Sequence, residues 1–419
     1  MVSLMLNIRA LHVSWGKMQG VFLHRRVFTQ MKKETVTTNQ ITEGVIWKQL
    51  LLFFFPIVLG TFFQQLYNTA DTIVVGRFVS KEALAAVGGS AAQIVGLIVG
   101  FFVGLASGAS VIISQFYGAK NRVQLNRALH TAYAFSIIGS IFITVLGILI
   151  APWMLELMHT PQETMADALL YLRIYFAGII FVFIYNVGSS ILRAMGDSRR
   201  PLYYLIVCCI LNIVLDIVLV IVFHMGVAGV SIATIFSQGV SAVLITRALM
   251  HSDDLYQLEF RKIRFHKSAL ISLIWVGCPT GIQSVLYSVT NMLIQTFLNN
   301  LGTDTVAAWS AFGKIDSLYW MVNNAFGIAV TTFVGQNFGA GKYDRMKKSV
   351  RIGLCMGLCT ALTLTLIFYN FGTPLFRLFT SDENVVSIGM QMLYHVAPAY
   401  CLFVFIELLS GAPVSYTHL

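Results

Sequence analysis

The chain has 419 residues, of which 57% are hydrophobic and only 11% charged, where soluble domains carry roughly a quarter charged residues. That balance excludes a soluble globular protein and reads as an integral membrane protein. The net charge of +10 raises nucleic acid as a partner, but the basic residues sit in alternate loops and report topology instead. Cys208, Cys209, Cys278, Cys355, Cys359 and Cys401 all lie inside apolar runs with no zinc or haem spacing, and read as small packing residues.

Residues 1–30 are weakly apolar and broken by Arg9, Lys17, Arg25 and Arg26, without the apolar core or cleavage site of a signal peptide. Met31-Lys32-Lys33-Glu34 reads as a natural start, so 1–30 is expected to be a non-native upstream extension. Ten apolar runs follow, at 46–75, 83–115, 128–150, 165–191, 201–223, 227–249, 268–298, 305–334, 350–371 and 387–411, each near or above the ~20 residues that cross a bilayer. Lys120, Arg122 and Arg127 follow the second run, and Arg193, Arg199 and Arg200 the fourth. Arg247, Arg261, Lys262, Arg264 and Lys267 follow the sixth, and Lys342, Arg345, Lys347, Lys348 and Arg351 the eighth. The remaining loops hold only Arg77, Lys81 and Arg377. The positive-inside rule then puts the N-terminus and every even-numbered loop in the cytoplasm.

The chain repeats itself. Gln115-Phe-Tyr-Gly118-Ala119 before one basic loop returns as Gln336-Asn-Phe-Gly339-Ala340 before another, and Pro56, Leu84 and Pro152 find counterparts in Pro279, Val306 and Pro374. The period spans six runs, an even number, so both halves enter the membrane in the same direction, as in transporters whose lobes rock about a central cavity. The expected fold is therefore an all-α polytopic protein of two parallel six-helix repeats, with about ten of twelve helices present. The expected parts are an N-lobe over 31–250, a cytoplasmic interlobe linker over 251–267 and a C-lobe over 268–412. The repeat also predicts a second Leu-Arg-x-x-Gly-Asp and two further spans after Ala412; 413–419 reads instead as a junction artefact.

Polar residues inside such runs are candidates for function, because a charge at the bilayer centre costs about 2.5–3.5 kcal/mol. Gln64, Asn68 and Asp71 are spaced i, i+4, i+7 and make one polar stripe on a helix. Asp71 is either an ion-binding carboxylate lining the N-lobe or a residue solvated near the outer face. Asn212 and Asp216 share a face at i, i+4 deep in the fifth run. Facing Asp71, Asp216 would complete a proton or sodium site; the alternative is a structural hydrogen-bonding lock. Lys314 and Asp316, at i, i+2, point to different faces, so that one of them reaches a cavity and substrate; the alternative is a pairing with Glu407, itself a candidate ion site in the second half. His395 and Arg173 read as packing or interfacial residues. Gly96, Gly100, Gly104 and Gly108 form a flat face that admits a close helix neighbour. No nucleophile elbow, zinc motif or nucleotide loop is present, so the chain is read as a non-enzyme without cofactor, driven by an ion gradient.

Several of these residues fall in motifs. Tyr67-Asn68-x-x-Asp71, Val75-Gly76-Arg77, Ala83-Leu84-Ala85-Ala86-Val87-Gly88, Leu192-Arg193-Ala-Met-Gly196-Asp197, Asn212-x-x-x-Asp216 and Phe333-Val-Gly335-Gln336-Asn-Phe-Gly339-Ala340 together resemble the multidrug and toxin extrusion (MATE) transporters. The resemblance covers about 44–412 and is strongest to the bacterial branch that includes the DNA-damage-inducible members. It implies twelve helices in two lobes around a cavity, in a monomer of the bacterial inner membrane. It implies export of cationic and amphipathic small molecules in exchange for protons or sodium. The family's N-lobe cation site falls on Asp71, Asn212 and Asp216. Some members use an acidic residue in helix seven; here that helix has none, and Asn291 is its main polar residue, near the position aligned with Asn68. Asp316 and Glu407 remain the only acidic candidates for a second-half site. A lipid-linked saccharide flippase shares the fold, but its cavity would be rich in arginine. A non-transporting scaffold is the reading from a different class, and the lobe repeat argues against it.

Overall fold

The computed structural model describes residues 40–252, 256–299, 301–380 and 382–414. The expected upstream extension 1–30, and 415–419 of the expected junction, lie outside the described residues; 413 and 414 continue the last helix. Lipid leaves no water for backbone groups, so a chain this apolar satisfies them internally as helices, and no strand occurs among the described residues. In chain order the helices are α1 Ile46–Phe78, α2 Lys81–Gly88, α3 Ser90–Gly118, α4 Arg122–Leu157, α5 Gln162–Ala194, α6 Arg199–Asp216 and α7 Gly226–Met250. They continue with α8 Lys267–Asn299, α9 Thr303–Gly339, α10 Tyr343–Arg377, α11 Glu383–Val396 and α12 Tyr400–Val414.

The repeat is visible in these elements. Both α1 and α8 are 33 residues long with a proline inside, Pro56 and Pro279. Likewise α4 and α10 each carry one near their end, Pro152 and Pro374. Three departures from the sequence reading have local causes. The second run breaks at Gly89 into α2 and α3, where any Cβ would press on the Ala85 carbonyl, and the tenth breaks at Pro398 into α11 and α12. The fifth run leaves α-helical geometry directly after Asp216: Ile217–Val222 form a π-turn, in which Phe223 N–H reaches back five residues to Val218 O at 3.0 Å. Nine stretches among the described residues are long and apolar enough to cross a membrane. The one expected span outside these nine is the eighth run, α9, which has the length at 37 residues, but Lys314, Asp316, Asn323 and Asn324 dilute its apolar character.

The two halves of the chain meet along α3. Of the glycine stripe expected to admit a neighbour, Gly104 and Gly108 abut α8 of the other half, where their Cβ atoms would lie 2.5 Å from the backbone of Gly281 and of Gly277, whereas nothing lies within 4 Å of a Cβ on Gly96. Further along, α3 crosses α9 where Gly118 and Gly339 each abut the other helix's backbone carbonyl, at Gln336 and Gln115. Gln336 Nε2–H crosses this seam to donate to Ala194 O at 2.6 Å.

Helix α1 belongs to both halves. Its first turns bury Leu50, Phe53, Phe54 and Ile57 in the core of the second half, with Phe54 stacked on Phe326 at 4.1 Å between centroids. Beyond Pro56, Val74 and Val75 join the core of the first half, among Tyr171, Tyr175 and Val220. The segment leading into α1 is strapped to α10: Arg345 donates to the carbonyls of Ile41, Glu43 and Gly44 and to Gln49 Oε1, while Lys342 donates to Thr42 O. Arg345→Ala removes four bonds at once. Amides of 41–49 should then exchange hydrogen about tenfold faster or more, equivalent to ~1.4 kcal/mol, the worth of one or two bonds to a charged donor. Hydrogen-exchange mass spectrometry of the two proteins reads this directly.

Candidate functional site

Beyond Pro56, α1 turns Tyr67 and Asp71, one helical turn apart, into the first half. Helix α6 delivers Asn212 and Asp216 to the same place, and α7 delivers Thr234 and Gln238. All six are buried, with Asn212 and Asp216 at 0% exposure. Thr234 Oγ1 lies 3.1 Å from Asp71 Oδ2 and 3.0 Å from Val230 O. Its single proton serves one acceptor at a time, and an ionised carboxylate is the stronger of the two. Asn212 Nδ2–H donates to Thr234 Oγ1 at 3.5 Å, and Gln238 Nε2–H donates to Tyr67 OH at 3.2 Å. Residues 71 and 67 of α1 thus meet 234 and 238 of α7 as two rungs of one ladder.

Asp216 lies against Asp71, close enough to share a hydrogen bond. Neither carboxylate can donate when ionised, and Asp71 Oδ1, both oxygens of Asp216, Asn212 Oδ1 and Gln238 Oε1 are buried without a donor. Two ionised carboxylates side by side out of water repel, so the pair calls for a shared proton or a bound cation. A set of carboxylate, amide and hydroxyl oxygens is hard-cation chemistry. No group of three or more histidine, cysteine or acidic side chains suited to a metal ion occurs among the described residues.

A second feature lies between the halves. A cavity of about 800 Å³ is lined by Thr61 and Gln65 of α1, Gln93 of α3, Asn291 and Gln295 of α8, and Asp316 and Trp320 of α9, among others. Asp316 is its one charged wall residue among those described. It is held from both sides, Oδ1 by Tyr400 O–H at 2.8 Å and Oδ2 by Trp320 Nε1–H at 2.9 Å. Trp309 and Phe312 stack beside it and also face the cavity.

The structure sorts the residues expected from sequence. Asp71, Asn212 and Asp216 come together. Asn68 and Gln64 are exposed and make no hydrogen bond with the cluster, so the expected stripe divides, and the buried companion of Asp71 on α1 is Tyr67. Of the i, i+2 pair, Asp316 faces the cavity while Lys314 is exposed and does not line it. The pairing of these residues with Glu407 is not formed: Glu407 packs instead over Gly327 of α9, where a Cβ would meet its Oε1 at 2.6 Å. Asn291 lines the cavity. Sequence reasoning gave no role to Tyr67, Thr234 or Gln238. A signal was available, since Ser231, Thr234, Gln238 and Ser241 recur at helical spacing within an apolar span, and all four are buried.

Known proteins share this sequence pattern and this fold. The profile of the MatE family matches residues 56–218 and 279–417. The probable multidrug resistance protein YpnP of Bacillus subtilis is 32% identical over 361 residues, covering 86% of this chain and 80% of the relative. The probable multidrug resistance protein YoeA of the same organism is 28% identical over 383 residues, covering 89% and 82%. Among solved structures, the outward-facing conformation of a multidrug resistance MATE family transporter of the MOP superfamily superposes with a TM-score of 0.85 at 23% identity, over 92% of this chain and 86% of that one. That likeness shows the shared fold.

Proposed function

The chain belongs to the MatE family, the multidrug and toxin extrusion transporters, and on that premise we propose that it exports cationic and amphipathic small molecules by exchange against protons or sodium ions. In this reading the coupling ion binds at Asp71 and Asp216, with Asn212 and Thr234 completing the site, and the substrate occupies the cavity beside Asp316. One observation carries the proposal: α1 presents Thr61 and Gln65 to the cavity and Tyr67 and Asp71 to the carboxylate cluster. An ion that changes how the upper part of α1 is held therefore changes the wall of the cavity, and by linkage the substrate changes ion affinity by the same factor. Pro56 supplies the flexible point, since it leaves one backbone carbonyl of α1 without its helical donor. In the same proposal the end of the bundle bearing 120–127, 193–200, 256–267 and 342–351 faces the inside of the cell, a reading supported by its excess of basic residues.

Asp316 sets the sign of the substrate. No lysine or arginine occurs among the described residues of the cavity wall, a poor match for a lipid-linked pyrophosphate. A cationic ring in this cavity would meet the Asp316 carboxylate and the aromatic wall residues Trp309 and Trp320. Asp316→Asn keeps the shape and the acceptor for Tyr400 but removes the charge and the acceptor for Trp320 Nε1–H. It should weaken ethidium binding about 10-fold or more, the worth of one close charge pair, and leave an uncharged amphipathic dye within a factor of two. Equal losses for both dyes would contradict the assignment. Ethidium efflux from proteoliposomes, with proton and sodium gradients imposed one at a time, tests the exchange itself; efflux indifferent to both gradients would contradict it.

A further inference from the structure

Residues 256–266 lead from α7 to α8 and run against the side of α4. Their inner face is fixed to the bundle. Leu258 is buried at 1% exposure in the core that α3, α4, α5, α7 and α8 share, and its N–H donates to Leu249 O. Ile263 packs against the same core, and the Tyr256 ring meets that of Tyr117 edge-on at 5.9 Å. Glu259 N–H donates to His130 Nε2 at 3.1 Å, and His266 N–H donates to Thr131 Oγ1 at 3.1 Å. Helix α4 starts at Arg122, so His130 and Thr131 stand about 12 Å along it, where its apolar run begins. The segment is therefore held at the boundary between headgroups and lipid chains.

The outer face is of another kind. Phe260 is 58% exposed and Phe265 40%, and Arg261, Arg264 and Lys267 beside them are exposed as well. Lys262 is tied to Glu259 at 2.6 Å, whereas Arg261, Arg264 and Lys267 enter no ion pair among the described residues. Arg127 of α4 adds to the positive charge here: burial first, and then Arg264 and Arg127, hold the His266 imidazole below its usual range. Asp253 and Asp254, which precede the segment, lie outside the described residues. Two large rings left outside are unfavourable in water and ordinary at a membrane interface. There aromatic rings sit at headgroup level, and long basic side chains reach toward the phosphates.

We propose that Phe260, Arg261, Arg264, Phe265 and Lys267 form a docking surface for anionic phospholipids of the leaflet on the side bearing the basic loops. The three cations contact headgroup phosphates, and the two rings lie between the first methylenes of the chains. A free anion would use the cations alone; the exposed rings select a lipid. Each lysine or arginine near an anionic surface is worth about fivefold in binding, so three reach about 100-fold at most. Salt screens the attraction over roughly 10 Å. The inference stands apart from the transport reading, since it rests on neither the cavity nor the carboxylates.

Hydrogen exchange of the purified full chain in nanodiscs tests it, comparing phosphatidylcholine alone with phosphatidylcholine mixed with phosphatidylglycerol. Amides of 260–265 should exchange about tenfold more slowly in the anionic discs, with α9 unchanged, and high salt should reverse the difference. Equal exchange in the two discs overturns the proposal. Inorganic phosphate added to the phosphatidylcholine discs should leave the segment unchanged; slowing that matches the phosphatidylglycerol effect contradicts a membrane surface. Arg261→Gln, Arg264→Gln and Lys267→Gln together should remove the lipid effect. The amides of Glu259 and His266 stay protected in that variant, because their acceptors on α4 are intact. A triple variant so protected that keeps the wild-type lipid effect sinks the assignment to these residues. Lys347→Gln with Lys348→Gln alters another basic loop and should leave the segment's lipid effect in place; an equal loss there would reduce the effect to the general charge of that face. Phe260→Ser with Phe265→Ser should speed exchange of the segment in both discs, and unchanged exchange contradicts the insertion of the rings.

Discussion

Asp71→Asn should lower ion-driven ethidium efflux by the full chain about 100-fold, to the level of protein-free membranes. Asparagine keeps the volume, and its carbonyl still accepts from Thr234, so the fold and the contact between α1 and α7 survive. What disappears is one of two adjacent carboxylates, three of whose four oxygens are buried without a donor, and with it the reason for a proton or cation to bind there. A factor of about 100 corresponds to nearly 3 kcal/mol, the upper range of coupling between two sites in one protein. Asp216→Asn should behave the same way, and the double variant no worse than either single one, since the two act as a unit. Efflux by Asp71→Asn within a factor of two of wild type would remove the cluster from the mechanism.

Gly118→Ala and Gly339→Ala should each destabilise the protein by about 2–3 kcal/mol, the cost of forcing an added methyl into a packed contact. In both cases the new Cβ would fall on a backbone carbonyl of the opposite helix, Gln336 or Gln115. Backbone cannot rotate aside as a side chain does, so α3 and α9 must separate. A fluorescence-detected melting curve of the detergent-solubilised protein measures the loss. Gly96→Ala is the control: nothing lies within 4 Å of its Cβ position, and alanine is the better helix former, so its melting temperature should hold or rise. Equal losses at all three positions would mean that the seam plays no special part.

Much of this was legible from sequence because membrane spans give polar residues so little latitude. Asp71 and Asp216 were conspicuous as carboxylates in apolar runs, and the i, i+4 spacing attached Asn212 to one of them. The four-residue glycine period announced a close neighbour for α3 without naming it; that the neighbour is α8 of the other half is a fact of tertiary packing. The i, i+2 spacing separated Lys314 from Asp316, but which one meets the cavity depends on where Tyr400 and Trp320 stand. Asn68 shows the limit of periodicity: it lies near Asp71 on the helical wheel, yet the face of α1 that meets α7 runs through Tyr67 and Asp71 and leaves Asn68 exposed. The π-turn after Asp216 left no signal at all, because Ile-Val-Leu-Val-Ile-Val reads as an ordinary apolar helix.

In the proposed exchange α1 is the element shared by ion and substrate, and one binding experiment addresses that most directly. Ethidium affinity of the purified full chain can be measured by fluorescence across pH 5.5–8.5 and across sodium concentration, for the wild type and for Asp71→Asn. Wild-type affinity should weaken about tenfold or more as one of the two ions saturates, whereas Asp71→Asn should bind ethidium with an affinity indifferent to both. Wild-type affinity independent of both ions, or a variant that keeps the wild-type dependence, would contradict the link between Asp71 and the cavity.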